Sequence, residues 1–316
     1  MSLNPLDLVS QLPGSISQGL IWGIMAIGVY ITYKILNIAD LTVDGSFATG
    51  GAVCVMMILA GYSIPLALLV SFIAGLFAGL ITGIFHVIFG ISAILAGILT
   101  QLALWTVNLV IMGKANQALN VDRYKLLVSL RYLQETMKGV KPFYFSPLFV
   151  VSLFLLVIVL ILYWFFGTEL GSSIRATGSN INMSRAQGIN TDFNKTLGLM
   201  LSNGMVALSG ALLAQYQGFA DINMGRGAIV IGLAAVIIGE IIFFKFIRNF
   251  ALRLLAVALG AIIYYIVIQV VLWLNLDANY LKLFSALVVA IFLAVPHWKG
   301  KLTLSAMRRK RSGNRA

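Results

Sequence analysis

Three aspartates stand where the chain is otherwise apolar. Asp40 and Asp44 lie between two apolar runs in the segment 37–46, and Asp221 lies in the segment 218–225. A carboxylate in the hydrocarbon of a membrane is costly, so such groups usually face a polar cavity, a partner or the interface. Two interpretations stay open. The segment 37–46 is either a broken helix lining a translocation path, or a tight turn at the membrane surface with Asp44 capping the following helix.

The two aspartate segments share a pattern. In both, Ala-Asp is followed by an apolar residue, a polar residue and then a glycine, so Asp40 corresponds to Asp221. An odd number of predicted spans separates the copies, which gives them opposite orientations, as in the inverted repeats of transporters. The residues predicted to line a translocation path are Asp40, Thr42, Asp44, Ser46, Gln215 and Asp221.

The elements that must position these side chains are membrane-spanning helices. Sixty per cent of the residues are hydrophobic and only 10% are charged, with a mean hydropathy of +0.98, which excludes an ordinary soluble domain. Since a spanning helix needs ~20 mostly apolar residues, the sequence predicts an all-α polytopic membrane protein with about 8–10 transmembrane helices and an inverted repeat. The predicted spans are 16–35, 44–60, 64–88, 91–112, 147–166, 194–217, 227–244, 251–274 and 281–296.

These spans form one transmembrane domain over residues 1–300. Its first repeat covers about 15–112, an external segment covers 113–146, and the second repeat covers about 147–296. Residues 297–316 form a basic tail without acidic residues, which the positive-inside rule places in the cytoplasm; beside a membrane span this interpretation outweighs nucleic-acid binding. Counting back from the tail places 168–195 inside and 113–146 outside. The basic residues of 113–146 conflict with the rule, which long loops follow less strictly.

A polar segment, residues 175–195, interrupts the apolar runs in the second half of the chain. It is too short to fold as a domain, so we expect one short cytoplasmic helix presented to a soluble partner.

Motifs for catalysis are missing from the sequence. There is no Gly-rich phosphate loop ending in Gly-Lys-Ser/Thr and no His-Glu-x-x-His site, and two histidines with one cysteine disfavour a zinc or haem site. The chain is therefore expected not to be an enzyme. Energy for transport would come from an ion gradient or from a separate subunit.

The polar segment carries a specific resemblance. Arg175-Ala-Thr-Gly-Ser-Asn, followed by Ala186-Gln-Gly-Ile-Asn-Thr-Asp192, resembles the cytoplasmic coupling segment of bacterial ABC importer permeases of the branched-chain amino acid and ribose class. The run 208–218 and Leu233-Ala-Ala-Val-Ile-Ile-Gly239 match the same family, and the resemblance spans about 15–295. Asp40-Leu-Thr-Val-Asp-Gly-Ser46 is closest to the subgroup often assigned to tryptophan or tyrosine import, and it departs from the Asn-x-x-His-Gly-like sequence of better-known branched-chain members.

The resemblance implies an importer permease in the bacterial cytoplasmic membrane. Its partners would be a cytoplasmic ABC ATPase, an extracytoplasmic substrate-binding protein, a second permease copy forming a homodimer, and the lipid bilayer, but no nucleic acid. No cofactor is expected in this chain, because the partner ATPase would hold ATP and Mg²⁺. Arg175 and Arg185 would reach acidic groups on the ATPase or lipid phosphates, with lipid phosphates favoured for Arg175. The resemblance places the coupling helix at about 179–188, where Gly178 and Gly188 would let the chain turn at its two ends. The residues that it assigns to ATPase coupling are Arg175, Gly178, Asn180, Met183, Arg185, Ala186 and Gly188.

Two other classes stay open. An ion-coupled secondary transporter would use Asp40, Asp44 and Asp221 as proton or sodium sites, and intramembrane carboxylates suit it equally well. A structural membrane scaffold is disfavoured by the polar segments inside apolar runs. A secondary carrier has no reason to keep a glycine-framed helix of small residues on the cytoplasmic face, so the polar segment favours the importer.

Overall fold

The fold is a helical bundle with one small strand pair. The computed structural model describes residues 5–274 apart from 122, 141, 245, 246 and 248, together with 283, 286, 287, 289–291 and 294. The helices are α1 Pro5–Tyr30, α2 Val43–Leu59, α3 Ile64–Val87, α4 Ala93–Met112, α5 Leu130–Met137, α6 Pro147–Gly167, α7 Glu169–Ser179, α8 Ile181–Ala186, α9 Thr191–Gln217, α10 Ala228–Phe243 and α11 Phe250–Trp273. A π-helical turn, Ile31–Ile35, extends α1, and a 3₁₀ turn, Phe143–Phe145, precedes α6.

Within the described residues, six helices are long and apolar enough to cross a membrane: α1 with its π-helical turn, α3, α4, α6, α9 and α11. Two further apolar helices, α2 and α10, are shorter. At 1.5 Å per residue, a 16- or 17-residue helix reaches only about 25 Å, less than the ~30 Å hydrocarbon layer. The polytopic all-α prediction is confirmed. The predicted span 281–296 lies mostly, and the tail 297–316 wholly, outside the described residues.

Burial separates an inner pair of helices from an outer ring. In α1 and α9, 83% of the most apolar window is buried, against 28% in α4 and α6. The outer helices expose large apolar side chains, such as Val110 on α4 and Trp164 on α6. An exposed apolar surface of this extent is unfavourable in water but suits a bilayer. The fold is therefore built for lipid.

The inner helices run antiparallel and fix the two ends of the bundle. The Tyr216 hydroxyl donates to the Gly14 carbonyl at 3.4 Å, and the Ser202 hydroxyl donates to the Gly28 carbonyl at 2.7 Å. At one end, hereafter the ribbon end, the strands β1 Asn116–Ala118 and β2 Phe219–Asp221 pair antiparallel. The opposite end carries α7 and α8 and is hereafter the α8 end.

The two halves of the bundle exchange partners. Helix α9, from the second half, packs on α2 and α3, whereas α1, from the first half, packs on α10 and α11. Helix α2 runs parallel to α9, since Ser46 meets Asn203 and Cys54 meets Gln215. Helix α10 likewise runs parallel to α1, since Gly232 lies against Val29 and Glu240 pairs with Lys34. Both short helices therefore begin beside the middle of a long one. The inverted repeat itself stays a prediction.

Candidate functional site

The chain breaks sharply between α1 and α2. After the π-helical turn, Asn37 adopts a positive φ of 56°, which asparagine tolerates better than most residues. The Ile38 N–H then donates to the Thr32 carbonyl at 2.9 Å, and the Thr42 N–H donates to Asp40 Oδ1 at 2.9 Å. The break carries the chain from the α8 end back to the middle of the bundle, where α2 starts. Of the two interpretations of this segment, the geometry fits the broken helix.

Asp40 is buried at this break and is held by Asn203 of α9. The Asn203 amide Nδ2 donates to Asp40 Oδ2 at 2.7 Å and to the Leu199 carbonyl at 3.0 Å. Its Oδ1 accepts a hydrogen bond of 2.6 Å from the Ser46 hydroxyl. The Asn203 side chain thus makes three hydrogen bonds, and both oxygens of the buried Asp40 carboxylate have a donor.

A line of threonines extends this polar cluster toward α4. The Thr42 and Thr82 hydroxyls lie 2.7 Å apart, and the Thr82 hydroxyl donates to Thr100 Oγ1 at 2.9 Å. All three side chains are buried. The cluster thus joins the break, α3, α4 and α9 by side-chain hydrogen bonds. The sequence did not single out Thr82 and Thr100, and hydroxyls in an apolar helix give no signal of which helix they face.

Asp44 joins the two short helices. Its carboxylate accepts hydrogen bonds from the backbone N–H groups of Gly227 at 2.9 Å and Ile229 at 3.0 Å, at the start of α10. The surface-turn interpretation had Asp44 capping its own helix, and this is wrong: α2 has no side-chain cap, and Asp44 caps α10 instead. The reason is that α2 and α10 start at the same depth. The first four backbone N–H groups of a helix have no acceptor within the helix, so they can donate to a carboxylate nearby.

Gln215 and Asp221 lie away from this cluster. The Asp221 Oδ1 accepts from the Asn223 N–H at 2.7 Å in the turn after β2. This repeats the bond from the Thr42 N–H to Asp40, so the two corresponding aspartates build the same local turn. The buried Gln215 accepts from the Leu127 N–H at 3.1 Å and donates to Cys54 Sγ at 3.3 Å. That the six path residues contact a solute stays a prediction.

A cavity of about 300 Å³ opens beside Asp44. It is lined by Asp44, Gly45, Gln101, Leu102, Trp105, Asn108, Ile222 and Arg226. The sequence interpretation named Asp44 alone from this set for the path. Trp105 and Arg226 were missed because each stands singly in its segment and only the fold brings them to the start of α2. In the described parts of the chain, no group of three or more His, Cys, Asp or Glu side chains is placed to hold a metal ion.

The polar segment at the α8 end differs from its prediction. We expected one helix over 179–188, but α7 continues to Ser179 and α8 covers only Ile181–Ala186. Asn180 separates them with an extended backbone, φ −155°. Its N–H donates to the Ala176 carbonyl to end α7, and its Oδ1 accepts from the Met183 N–H at 3.0 Å to begin α8. Asparagine favours helix caps over helix interiors, which explains the break.

The two glycines of this segment have different roles. Gly188 follows α8 with a positive φ of 78°, so it does turn the chain. Gly178 does not: it lies inside α7, where a Cβ atom would clash with the Ile35 carbonyl of the π-helical turn. The prediction of a turn at 178 is therefore wrong. The glycine is needed for close contact between α7 and the end of α1.

The arginines are held within the chain. The Arg185 guanidinium donates to Thr191 Oγ1 at 2.9 Å and to Asp192 Oδ1 at 3.2 Å, which fastens α8 to the start of α9. Arg175 lies over the Phe250 ring at 5.9 Å from its centroid. The roles of Arg175 and Arg185 in docking stay predictions, as does that of the exposed Ala186.

Comparisons with known proteins give the chain a family. The family model described as "Branched-chain amino acid transport system / permease component" matches residues 12–296. A tyrosine transport system permease protein of Clostridioides difficile is 39% identical over 289 residues, covering 92% of this chain and 91% of that protein. An uncharacterized protein of Rickettsia prowazekii is 37% identical over 282 residues, covering 89% and 95% of the two chains.

A more distant relative is named for a different solute. An autoinducer 2 import system permease protein of Salmonella typhimurium is 27% identical over 225 residues, covering 69% of this chain and 59% of that protein. No solved structure matches the chain. The resemblance noted in the sequence is confirmed: the chain belongs to the permease family of branched-chain amino acid transport systems, and it is a multi-pass protein of the bacterial inner membrane.

Proposed function

We propose that the chain is the membrane-spanning subunit of an ATP-driven importer, with ATP hydrolysis performed by a separate cytoplasmic ATPase that docks on α8. One observation carries this proposal. Of residues 179–188, only Ser184 is buried; the others are exposed, including the apolar Met183 at 58% and Ile181 at 38%. A rigid helix that offers apolar side chains beyond the bundle fits a groove on a partner.

The α8 end is assigned to the cytoplasm. It carries Arg175, Arg185 and Lys195, and the α10–α11 connection lies at the same end, since α10 runs parallel to α1. The rule that cytoplasmic loops carry the basic residues therefore supports this orientation. The ribbon end, with segment 113–146, then faces outward. An extracytoplasmic binding protein would deliver the solute there, and transport would run inward.

The proposed solute is an amino acid with an aromatic side chain. The support is the 39% identical relative, which is named a tyrosine transport system permease protein. Two copies of this chain would pair around the path, because the resembling subgroup uses one permease. ATP and Mg²⁺ would be bound by the ATPase.

The secondary-transporter alternative has less support. One of its proposed ion-binding carboxylates, the buried Asp40, already accepts hydrogen bonds from the Thr42 N–H and the Asn203 amide. The two functions are separated in proteoliposomes that contain the chain and its ATPase. If the chain is an importer, uptake depends on ATP inside the vesicle and continues when ionophores collapse the ion gradients. Uptake that needs a gradient and ignores ATP would favour the carrier instead.

Docking on α8 is tested with two matched methionines. Met183 on α8 and Met137 on α5 are 58% and 54% exposed, at opposite ends of the bundle. A charge buried against an apolar groove weakens binding by about 2 kcal/mol or more at a central contact, so we expect Met183→Glu to weaken ATPase binding, measured by co-purification, ~30-fold or more. Met137→Glu should leave co-purification unchanged. Equal ATPase recovery with both variants would refute docking on α8.

A further inference from the structure

The cavity beside Asp44 contains a side chain that has no partner. Asn108 on α4 is fully buried, yet neither its amide nitrogen nor its amide oxygen has a hydrogen-bond partner in the described part of the chain. Buried amide groups are nearly always paired, because an unpaired one forfeits the hydrogen bonds it made with water. Because Asn108 lines the cavity, its amide nitrogen can donate a hydrogen bond to a molecule that enters there, and its amide oxygen can accept one.

The cavity walls also carry both signs of charge. Each Asp44 oxygen accepts one backbone N–H from α10, and a carboxylate oxygen has lone pairs for a further donor. The Arg226 guanidinium is exposed and forms no ion pair with a carboxylate among the described residues. A carboxylate beside a free guanidinium suits a ligand that carries an ammonium and a carboxylate together, since Arg recognises carboxylates with two parallel bonds.

The remaining wall is aromatic and apolar. Trp105 is 41% exposed, and it lines the cavity with Leu102 and Ile222. Aromatic rings stack on one another in preference to aliphatic surface. The volume of about 300 Å³ is at the small end of the ~300–1,000 Å³ typical of small-molecule sites, so it fits a single amino acid.

We propose that this cavity, the Asn108 cavity, binds a zwitterionic aromatic amino acid during transport. Arg226 binds the carboxylate of the solute, Asp44 accepts from its ammonium group, Asn108 pairs with the polar groups nearest to it, and Trp105 packs on the ring. The site lies where two broken helices meet in the middle of the bundle, the position in which transporters place their solutes. The proposal rests on the proposed function and names the residues that contact the solute.

The test uses the purified full-length chain with its ATPase in lipid nanodiscs, without the binding protein. Radiolabelled tyrosine is displaced by unlabelled tyrosine, by tyramine, which lacks the carboxylate, and by 3-(4-hydroxyphenyl)propionate, which lacks the amine. We expect both analogues to compete ~10-fold or more weakly than tyrosine, because each leaves a charged wall group unpaired. Equal competition by all three compounds would overturn the zwitterion site.

Variants then assign the groups. Asn108→Leu removes the unpaired amide and should weaken tyrosine binding by ~10-fold, whereas Arg226→Gln should abolish the preference for tyrosine over tyramine. Val107→Ala, an exposed neighbour on α4 that does not line the cavity, is the matched control and should bind as the unaltered chain does. Unchanged binding in both Asn108→Leu and Arg226→Gln would overturn the site. ATP-driven uptake by the unaltered complex, measured in parallel, tests the proposed function separately: its loss would refute that function, and its persistence without cavity binding would refute only the site.

Discussion

The Asp44 carboxylate accepts a hydrogen bond of 3.0 Å from the backbone N–H of Ile229, 185 residues further along the chain. This contact binds the first half of the protein to the second where both short helices begin. It also neutralises the positive end of the α10 dipole. The two half-length helices are therefore held as one unit in the middle of the bundle.

Replacement of Asp44 should loosen this unit. Loss of a helix cap costs about 1 kcal/mol and up to about 2 kcal/mol, so we expect Asp44→Ala to lower the free energy of unfolding by that amount. Asp44→Asn keeps one acceptor oxygen and should lie between Ala and the unaltered chain. Denaturant titration in detergent micelles measures the differences. Equal stability of the Ala variant and the unaltered chain would contradict the capping role.

Asn203→Leu should be more harmful than loss of a single hydrogen bond. It removes one of the two donors to buried Asp40 and the acceptor of the Ser46 hydroxyl, and loss of a hydrogen bond to a charged group costs about 1.5–3 kcal/mol. The adjacent Ser202→Ala is the control. It loses one bond to the Gly28 carbonyl, and interhelical bonds in membranes average about 0.6 kcal/mol. The same unfolding titration compares the two variants.

The partner of Asn203 gives a sharper version of this test. If the cost comes from the stranded carboxylate, the double variant Asp40→Leu with Asn203→Leu should be more stable than the sum of the two single effects predicts. Additive costs would mean that the two side chains act independently.

Gly178→Ala should disturb the contact between α7 and the end of α1. A Cβ there clashes with the Ile35 backbone, and overpacking typically costs about 1–3 kcal/mol. Gly167→Ala, at the end of α6, is the matched control, since no atom lies within 4 Å of a Cβ at that position. The midpoint temperature of thermal unfolding of the purified chain should fall for Gly178→Ala and stay unchanged for Gly167→Ala. A similar midpoint for both would refute the close-contact role.

Gly188→Trp should separate ATP hydrolysis from uptake. The bulky ring would stand beside α8 on the exposed surface where the ATPase is proposed to dock, and a non-glycine residue at positive φ adds strain of about 1–3 kcal/mol. Gly188→Ala carries the strain without the bulk and controls for it. We expect the Trp variant to reach the membrane and to lose ATP-driven uptake, whereas the Ala variant retains most of it. Full uptake by Gly188→Trp would remove Gly188 from the coupling role.

The sequence predicted the class of fold and the location of the two broken segments, because long apolar runs and the Asp residues that interrupt them are local signals. It did not predict the partners. Asn203 was one of several neutral polar residues in apolar helices, and its bond to Asp40 depends on how α9 is rotated against α2, which no periodicity in α9 shows. The cap supplied by Asp44 to α10 depends on two helix starts meeting at one depth, a property of the whole bundle.

The α8 end shows the same division. The glycine and asparagine residues of the polar segment indicated interruptions, but local preference could not tell a turn at Gly178 from a close contact, since glycine serves both. The positive φ of Gly188 agrees with its predicted turn, whereas the role of Gly178 follows from the position of Ile35.

Asn180 joins α7 and α8 with a single residue, and its backbone and side chain both belong to the joint. No loop lies between the two helices to absorb a displacement of α8. Such a displacement therefore also moves α7, whose Gly178 lies against the end of α1. From there only the short stretch 36–42 leads to the polar cluster in the middle of the bundle. We therefore expect a displacement of α8 to reach the broken helix through α7 and the end of α1.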